Sequence, residues 1–184
     1  MRKLRAISSA ADAQLADGNA RPVESAPASR LDGRVSFQVH RVNAKLAQVA
    51  NSLFRNHKLD LISSRILVLL LERGQMRVGE LVDLMVLPQS TISHQLQRLD
   101  RHGLIRRQRV REDNRSVAVS LTPTGRLIAM ECDALSLNVY RHITEGLDDT
   151  EINYLGLLLG KMFDALESFD AKSLDEKDPA RTQG

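Results

Sequence analysis

With 184 residues, 42% of them hydrophobic, the chain can bury one core without staples, and nothing in it forces two domains. Aromatics at 3% and the absence of Trp leave almost none of the stacking platforms that single-stranded nucleic acid needs, whereas a net charge of +3 leaves duplex binding open. Its single cysteine, Cys132, excludes an internal disulfide framework; no paired Cys and His ligands suggest structural zinc, and no apolar run approaches a membrane span. A cytoplasmic protein with no membrane segment is expected.

Residues 1–31 carry Ala, Ser, Asp and Gly with Pro22 and Pro27, and lack the bulky apolar periodicity of a packed element. They predict a flexible arm; its Arg2, Lys3 and Arg5 suit DNA phosphates, although a disordered end is the commoner meaning of such a composition. From Val35 the pattern sharpens: Val35, Val39, Val42, Leu46, Val49 and Leu53 recur at helical a/d spacing, a narrow seam that wants a partner helix.

Asp60 is placed to cap a helix beginning near Leu61, with Ser63 where a capping box would put Glu. Ile66, Leu67, Leu69, Leu70 and Leu71 leave that helix almost no polar face, so it belongs in the core, and Gly74 ends it. A short helix follows through Val78, Leu81, Val82, Leu84 and Met85, and Val86-Leu87-Pro88 makes a tight joint to the next. Pro88 fits a first turn, where its missing N–H costs nothing.

The stretch Pro88 to Leu121 organises the rest. Ile92, Leu96 and Leu99 share one helical face, while Ser90, Thr91, Ser93, His94, Gln97 and Arg98 lie on the polar side. Gly103 is the natural left-handed stop. Then Leu104 to Val110 reads as a strand, Arg111 to Arg115 as a charged loop, and Ser116 to Leu121 as a return strand buried on one side through Val117, Val119 and Leu121. A helix-turn-helix followed by such a hairpin is a helix with a wing.

A helix that reads duplex DNA enters the major groove by its N-terminal half, and short polar side chains there permit close approach to base edges. Gln89, Ser90, Thr91, Ser93, His94 and Gln97 supply that surface, with His94 and Gln97 the better candidates because Ser90 and Thr91 also suit bonds to local N–H groups. Arg98, Arg101, Arg106, Arg107, Arg109, Arg111 and Arg115 suit phosphates and the wing; Asp113 suits a brace that aims Arg115 or Arg111. A solvated charged face and a generic polar turn are the blander readings.

After the wing, Thr124 to Gly146 carries Ile128, Cys132, Leu135, Val139 and Ile143 on one helical face, and Ile152, Leu155, Leu159, Met162, Leu166 and Phe169 form a closing seam. Three striped terminal helices exceed what one winged helix needs, so packing onto a second copy is expected, with an intramolecular bundle as the alternative. The expected fold is mainly α with a small β-wing: a flexible arm over 1–31, a helical dimerisation region over 32–58 and 122–170, a winged helix-turn-helix over 59–121, and a flexible tail over 171–184.

Ser90-Thr91-Ile92-Ser93, the step from Leu99 to Gly103-Leu104-Ile105, Asp113-Asn114-Arg115, Leu121-Thr122-Pro123-Thr124-Gly125, Asp60 to Leu71 and Gly146 to Glu151 together resemble the MarR family of bacterial transcription regulators, over about Val35 to Phe169. The resemblance implies a homodimer on a palindromic operator of double-stranded DNA, most often a repressor. It also implies release by a small effector, aromatic or an acyl-CoA thioester, held in a crevice among the helices beginning near Val35, Leu61 and Thr124. Ser36, His40, His57 and Arg65 are the polar candidates for its walls, against a plainer role in surface or interhelix hydrogen bonds. Two departures bear on base preference: Val86 and Pro88 replace small or capping residues at the turn, and His94 stands where arginine is frequent.

Three alternatives differ in class. A winged helix also serves as a protein-interaction module. Cys132 would make a redox regulator, although its place on an apolar stripe favours an inert thiol. The Thr91 to His94 pattern also resembles the ArsR family of metal-responsive regulators, but the cysteine pairs are missing and the five histidines show no metal-ligand spacing. No nucleophile, base and orienting group can be named and the glycines form no phosphate loop, so neither an enzyme nor a cofactor is expected.

Overall fold

The computed structural model describes residues 30–110 and 113–169, and the backbone alone at 110 and 113–116. The architecture is mainly helical with one small antiparallel sheet. Residues 1–29 of the arm expected over 1–31, the whole tail expected over 171–184 and the wing residue Arg111 lie outside the described residues. The chain divides into two units, with the boundary after Ser52.

In the first unit a 3-10 turn over Leu31–Gly33 leads into helix α1, Val35–Leu53. Its seam is largely uncovered: Val35, Val39, Val42, Val49 and Leu53 are exposed, and only Ala50 is buried within the helix.

The second unit begins with buried Phe54 and Leu59 on either side of a 3-10 turn, Arg55–His57, which Lys58 closes in the left-handed region at φ 56°. Helix α2, Leu61–Arg73, starts on a reciprocal cap. The Ser63 N–H donates to Asp60 Oδ1 at 2.8 Å and the Asp60 N–H donates to Ser63 Oγ at 2.9 Å, so serine does what glutamate usually does in the capping box. Ile66, Leu67 and Leu70 are buried, as a helix with so little polar surface requires, and α2 packs against α5. Gly74, at φ 77°, ends it.

Strand β1, Met76–Arg77, precedes helix α3, Val78–Met85. Val86 then turns the chain at φ 51°, ψ 44° into helix α4, Gln89–Arg101, which Gly103 stops at φ 67°. Ile92, Leu96 and Leu99 are fully buried, together with Leu81 of α3. Strands β2, Ile105–Val110, and β3, Asp113–Leu121, form the wing, and β1 adds to the far edge of β3 in the order β1-β3-β2.

Two expectations for the wing need correction. The hairpin is the larger part of a three-stranded sheet, because Met76 and Arg77 pair with Val119 and Ala118. A two-residue strand is too short for alternation to reveal. The return strand also begins at Asp113, paired with Val110, rather than at Ser116. Asp113 and Arg115 therefore belong to the ladder and not to a loop, since backbone pairing continues toward the tip past the irregularity at Arg109 and Val110.

Thr122 locks the wing to the next helix. Its hydroxyl donates to the Gly103 carbonyl at 2.7 Å and accepts the Gly125 N–H at 2.9 Å, capping α5, Pro123–Thr144, with Pro123 in the first turn. Gly125 is required by space: a Cβ there would stand 1.7 Å from the Leu104 carbonyl oxygen. Helix α6, Asp149–Glu167, opens on a second capping box between Asp148 and Glu151 and buries none of its residues.

Candidate nucleic-acid interface

Helix α4 has three sides. Ile92, Leu96 and Leu99 face the core. Gln89, Ser90, His94, Gln97 and Arg101 are exposed, stepping along one ridge, with Thr91 and Ser93 half-buried at its edges. No side chain caps the helix start, where Pro88 is the N-cap. The Ser90 and Thr91 hydroxyls are therefore not spent on that cap.

The third side is polar and turned inward. Gln95 is buried and Arg98 half-buried. Arg98 Nη2 lies 2.8 Å from Asp60 Oδ2 and 2.9 Å from Ser63 Oγ, and Gln95 Nε2 donates to the same Asp60 oxygen at 3.2 Å. Burial pushes the Asp60 carboxyl up, but the hydrogen bonds from Ser63 and the Arg98 guanidinium outweigh it and hold the pKa below the usual carboxylate value. Arg98, expected at phosphate, is instead engaged within the protein. Sequence spacing gives no hint of this, because its partners lie 35 and 38 residues away.

The wing carries exposed cations at Arg106, Arg107 and Arg109 on β2. Arg77 is a further exposed cation in the sheet: it and Gln108 both pair with small, buried Ala118 and so lie in one row, on the face that Arg106 shares, while Arg107 and Arg109 alternate to the other face. The side chains of Asp113 and Arg115 lie outside the described residues, so their bracing is not part of this geometry.

The candidates for an effector are divided between the two units. In the first unit Ser36 and His40 are exposed, and the His40 ring stacks on Phe37 with centroids 6.1 Å apart. In the second, Arg65 is exposed on α2 and His57 Nε2 lies 3.1 Å from Glu131 Oε2 of α5. An open groove of about 440 Å³ in the second unit is lined by Arg73, Gln75, Met76, Glu80, Asp83 and Leu84, and by neither His57 nor Arg65. Cys132 is buried, and burial, with the Glu131 charge adding, pushes its thiol up to about 11. A neutral, enclosed thiol is a poor nucleophile, which removes the physical basis for a redox switch at this residue.

The MarR family model matches residues 63–117, from the second residue of the capping box to the middle of the return strand. A probable transcriptional regulator from Pseudomonas aeruginosa, known as a crystal structure, is 31% identical, with a TM-score of 0.61, covering 72% of this chain and 99% of that one. The chain belongs to the MarR family. Membership and the winged helix-turn-helix make it a DNA-binding transcriptional regulator rather than an enzyme. Among other relatives, the HTH-type transcriptional regulator TtmR of Methylorubrum extorquens is 26% identical over 150 residues, 82% of this chain and 74% of that protein. A cysteine-to-serine variant of MarR from E. coli, crystallised with operator DNA, has the same fold at 23% identity and a TM-score of 0.62, covering 69% of this chain and 91% of that one. Among the described residues no helix is long and apolar enough to cross a membrane.

Proposed function

We propose that this regulator is a cytoplasmic homodimeric repressor that reads a palindromic operator with two copies of α4 and is released by a small effector. The observation that carries the dimer is the set of uncovered stripes. Val35, Val39 and Val42 of α1, and Leu155, Leu159, Phe163 and Leu166 of α6, are exposed in the single chain, and apolar surface on this scale marks an interface between proteins.

In this reading Gln89, Ser90, Thr91, Ser93, His94 and Gln97 meet base edges, with His94 and Gln97 the main determinants of preference. Arg101, Arg106, Arg107, Arg109, Arg111 and Arg115 hold phosphate, and Arg77 joins them from β1. What supports the assignment is the exposed ridge of α4 and the exposed arginines of β2, the strand that adjoins that helix. The MarR variant of E. coli that was crystallised with operator DNA shares this fold.

Repression and effector release follow the family resemblance. Half-sites about one turn of DNA apart, roughly 34 Å, tolerate little change in the spacing of two reading heads, so an effector that alters the spacing lowers affinity. The experiment is a binding titration of the full chain on its own promoter against random duplex, with and without aromatic acids and acyl-CoA thioesters. Preference for the promoter, steep salt dependence and loss of affinity with one effector class are expected. Equal binding to both duplexes would refute operator reading, and indifference to every effector would refute release.

A further inference from the structure

We propose that Asp60 and Arg98 form a positioning pair that fixes the rotation of α4 about its own axis, so that Arg98 governs which sequence is preferred and not how tightly phosphate is held. This rests on the operator-reading function proposed above.

Burial of Ile92, Leu96 and Leu99 turns that side of α4 to the core, but the hydrophobic term is non-directional and sets the rotation only coarsely. Hydrogen bonds are directional. Gln95 and Arg98, one turn apart on the same flank, both donate to Asp60 Oδ2, while Asp60 Oδ1 accepts the Ser63 N–H and lies 2.8 Å from the Ser63 hydroxyl. One carboxylate therefore has one oxygen on the start of α2 and the other on α4. Ser63, fully buried, also accepts from Arg98 and closes the cluster. With side-chain tips about 5 Å from a helix axis, a rotation of about 20° moves each tip by about 2 Å. That displacement breaks a hydrogen bond to a base edge. Phosphate contacts carry no sequence information and tolerate the shift better.

The two roles predict opposite signs. Removing an anion from a DNA-binding protein strengthens binding if only long-range charge matters. Removing a positioning anion weakens operator binding. The test uses the full chain, the duplex it enriches from a randomised pool, and a scrambled duplex, titrated between about 50 and 200 mM salt. For Asp60→Asn and Arg98→Met we expect operator affinity to fall about 10-fold, with scrambled-duplex affinity and the salt slope unchanged. The double variant should lose no more than the worse single one, since both act through one contact.

The proposal is overturned if Arg98→Met weakens both duplexes equally and lowers the salt slope by about one, the signature of a lost phosphate contact. It is equally overturned if Asp60→Asn leaves operator binding unchanged or improves it. Should either variant fail to fold, Gln95→Met, which keeps the buried volume, takes its place: a several-fold loss of preference is expected, and no change refutes the pair. A wild-type chain that enriches no sequence refutes operator reading itself, and the pair's role with it.

Discussion

Apolar stripes meet two fates in this molecule. In the helix-turn-helix, Ile66, Leu67, Leu81, Ile92, Leu96 and Leu99 disappear into the chain's own core at 0% exposure, while on the outer helices Val35, Val42, Leu155 and Leu166 remain 60%, 58%, 49% and 71% exposed. The periodicity that produces both is the same. Spacing tells which side of a helix is apolar; it does not tell what covers that side, and here the chain itself covers the stripes of the reading head and leaves those of the outer helices exposed.

The sharpest way to break this contrast is to place a charge in each region. Leu159→Asp on α6, or Leu46→Asp on α1, should leave the reading head folded but separate the copies. Two half-sites bound together gain roughly 10² to 10⁴ over one, so operator affinity in a titration should fall at least about 100-fold. A variant that still sediments as a pair and binds normally would remove the outer stripes from the interface. Leu96→Ala should do the reverse. Loss of a fully buried leucine costs about 3 kcal/mol, visible as a lowered denaturation midpoint whether or not the copies separate.

Much of the reading head was legible because its signals are local. Asp60 and Ser63 announce a cap, Gly74 and Gly103 announce stops, and the spacing of Ile92, Leu96 and Leu99 marks the apolar side of α4. What could not be read depends on partners distant in sequence. Met76 and Arg77 form a strand only because Val119 and Ala118 lie beside them, and Arg98 turns inward only because Asp60 is there. Gly125 reads as part of a turn motif, yet its necessity comes from the Leu104 carbonyl, 21 positions earlier. Arg98 shows the limit most clearly: on a helix bearing so many polar residues, a cation that faces DNA and one that braces the helix have the same local sequence.

Smaller effects sharpen the picture at the joint. Val86 is a β-branched residue in the left-handed region, a conformation that costs about 1 kcal/mol or more outside glycine, and its side chain is exposed. Val86→Gly should therefore leave stability unchanged or raise it by up to about 1 kcal/mol in a chemical denaturation curve, after the extra freedom glycine gains in the unfolded chain is offset. A marked loss would show that Val86 packs against something the single chain lacks.

The smallest effect is pH dependence. Because the Asp60 pKa is lowered in the fold, its contribution to stability is fully present above the ordinary carboxylate value of 3.8 and is lost as pH falls through the lower, folded one. The difference in thermal midpoint between the wild type and Asp60→Asn should therefore be steady at neutral pH and shrink below about pH 4. A difference that grows on acidification would contradict the sign.

The most direct test of the account is the stoichiometry of the DNA complex, measured by sedimentation at micromolar protein on a single enriched duplex. Two chains per duplex, from a protein that is already paired when free, is the predicted result. One chain per duplex, from a protein that is single when free, would contradict it.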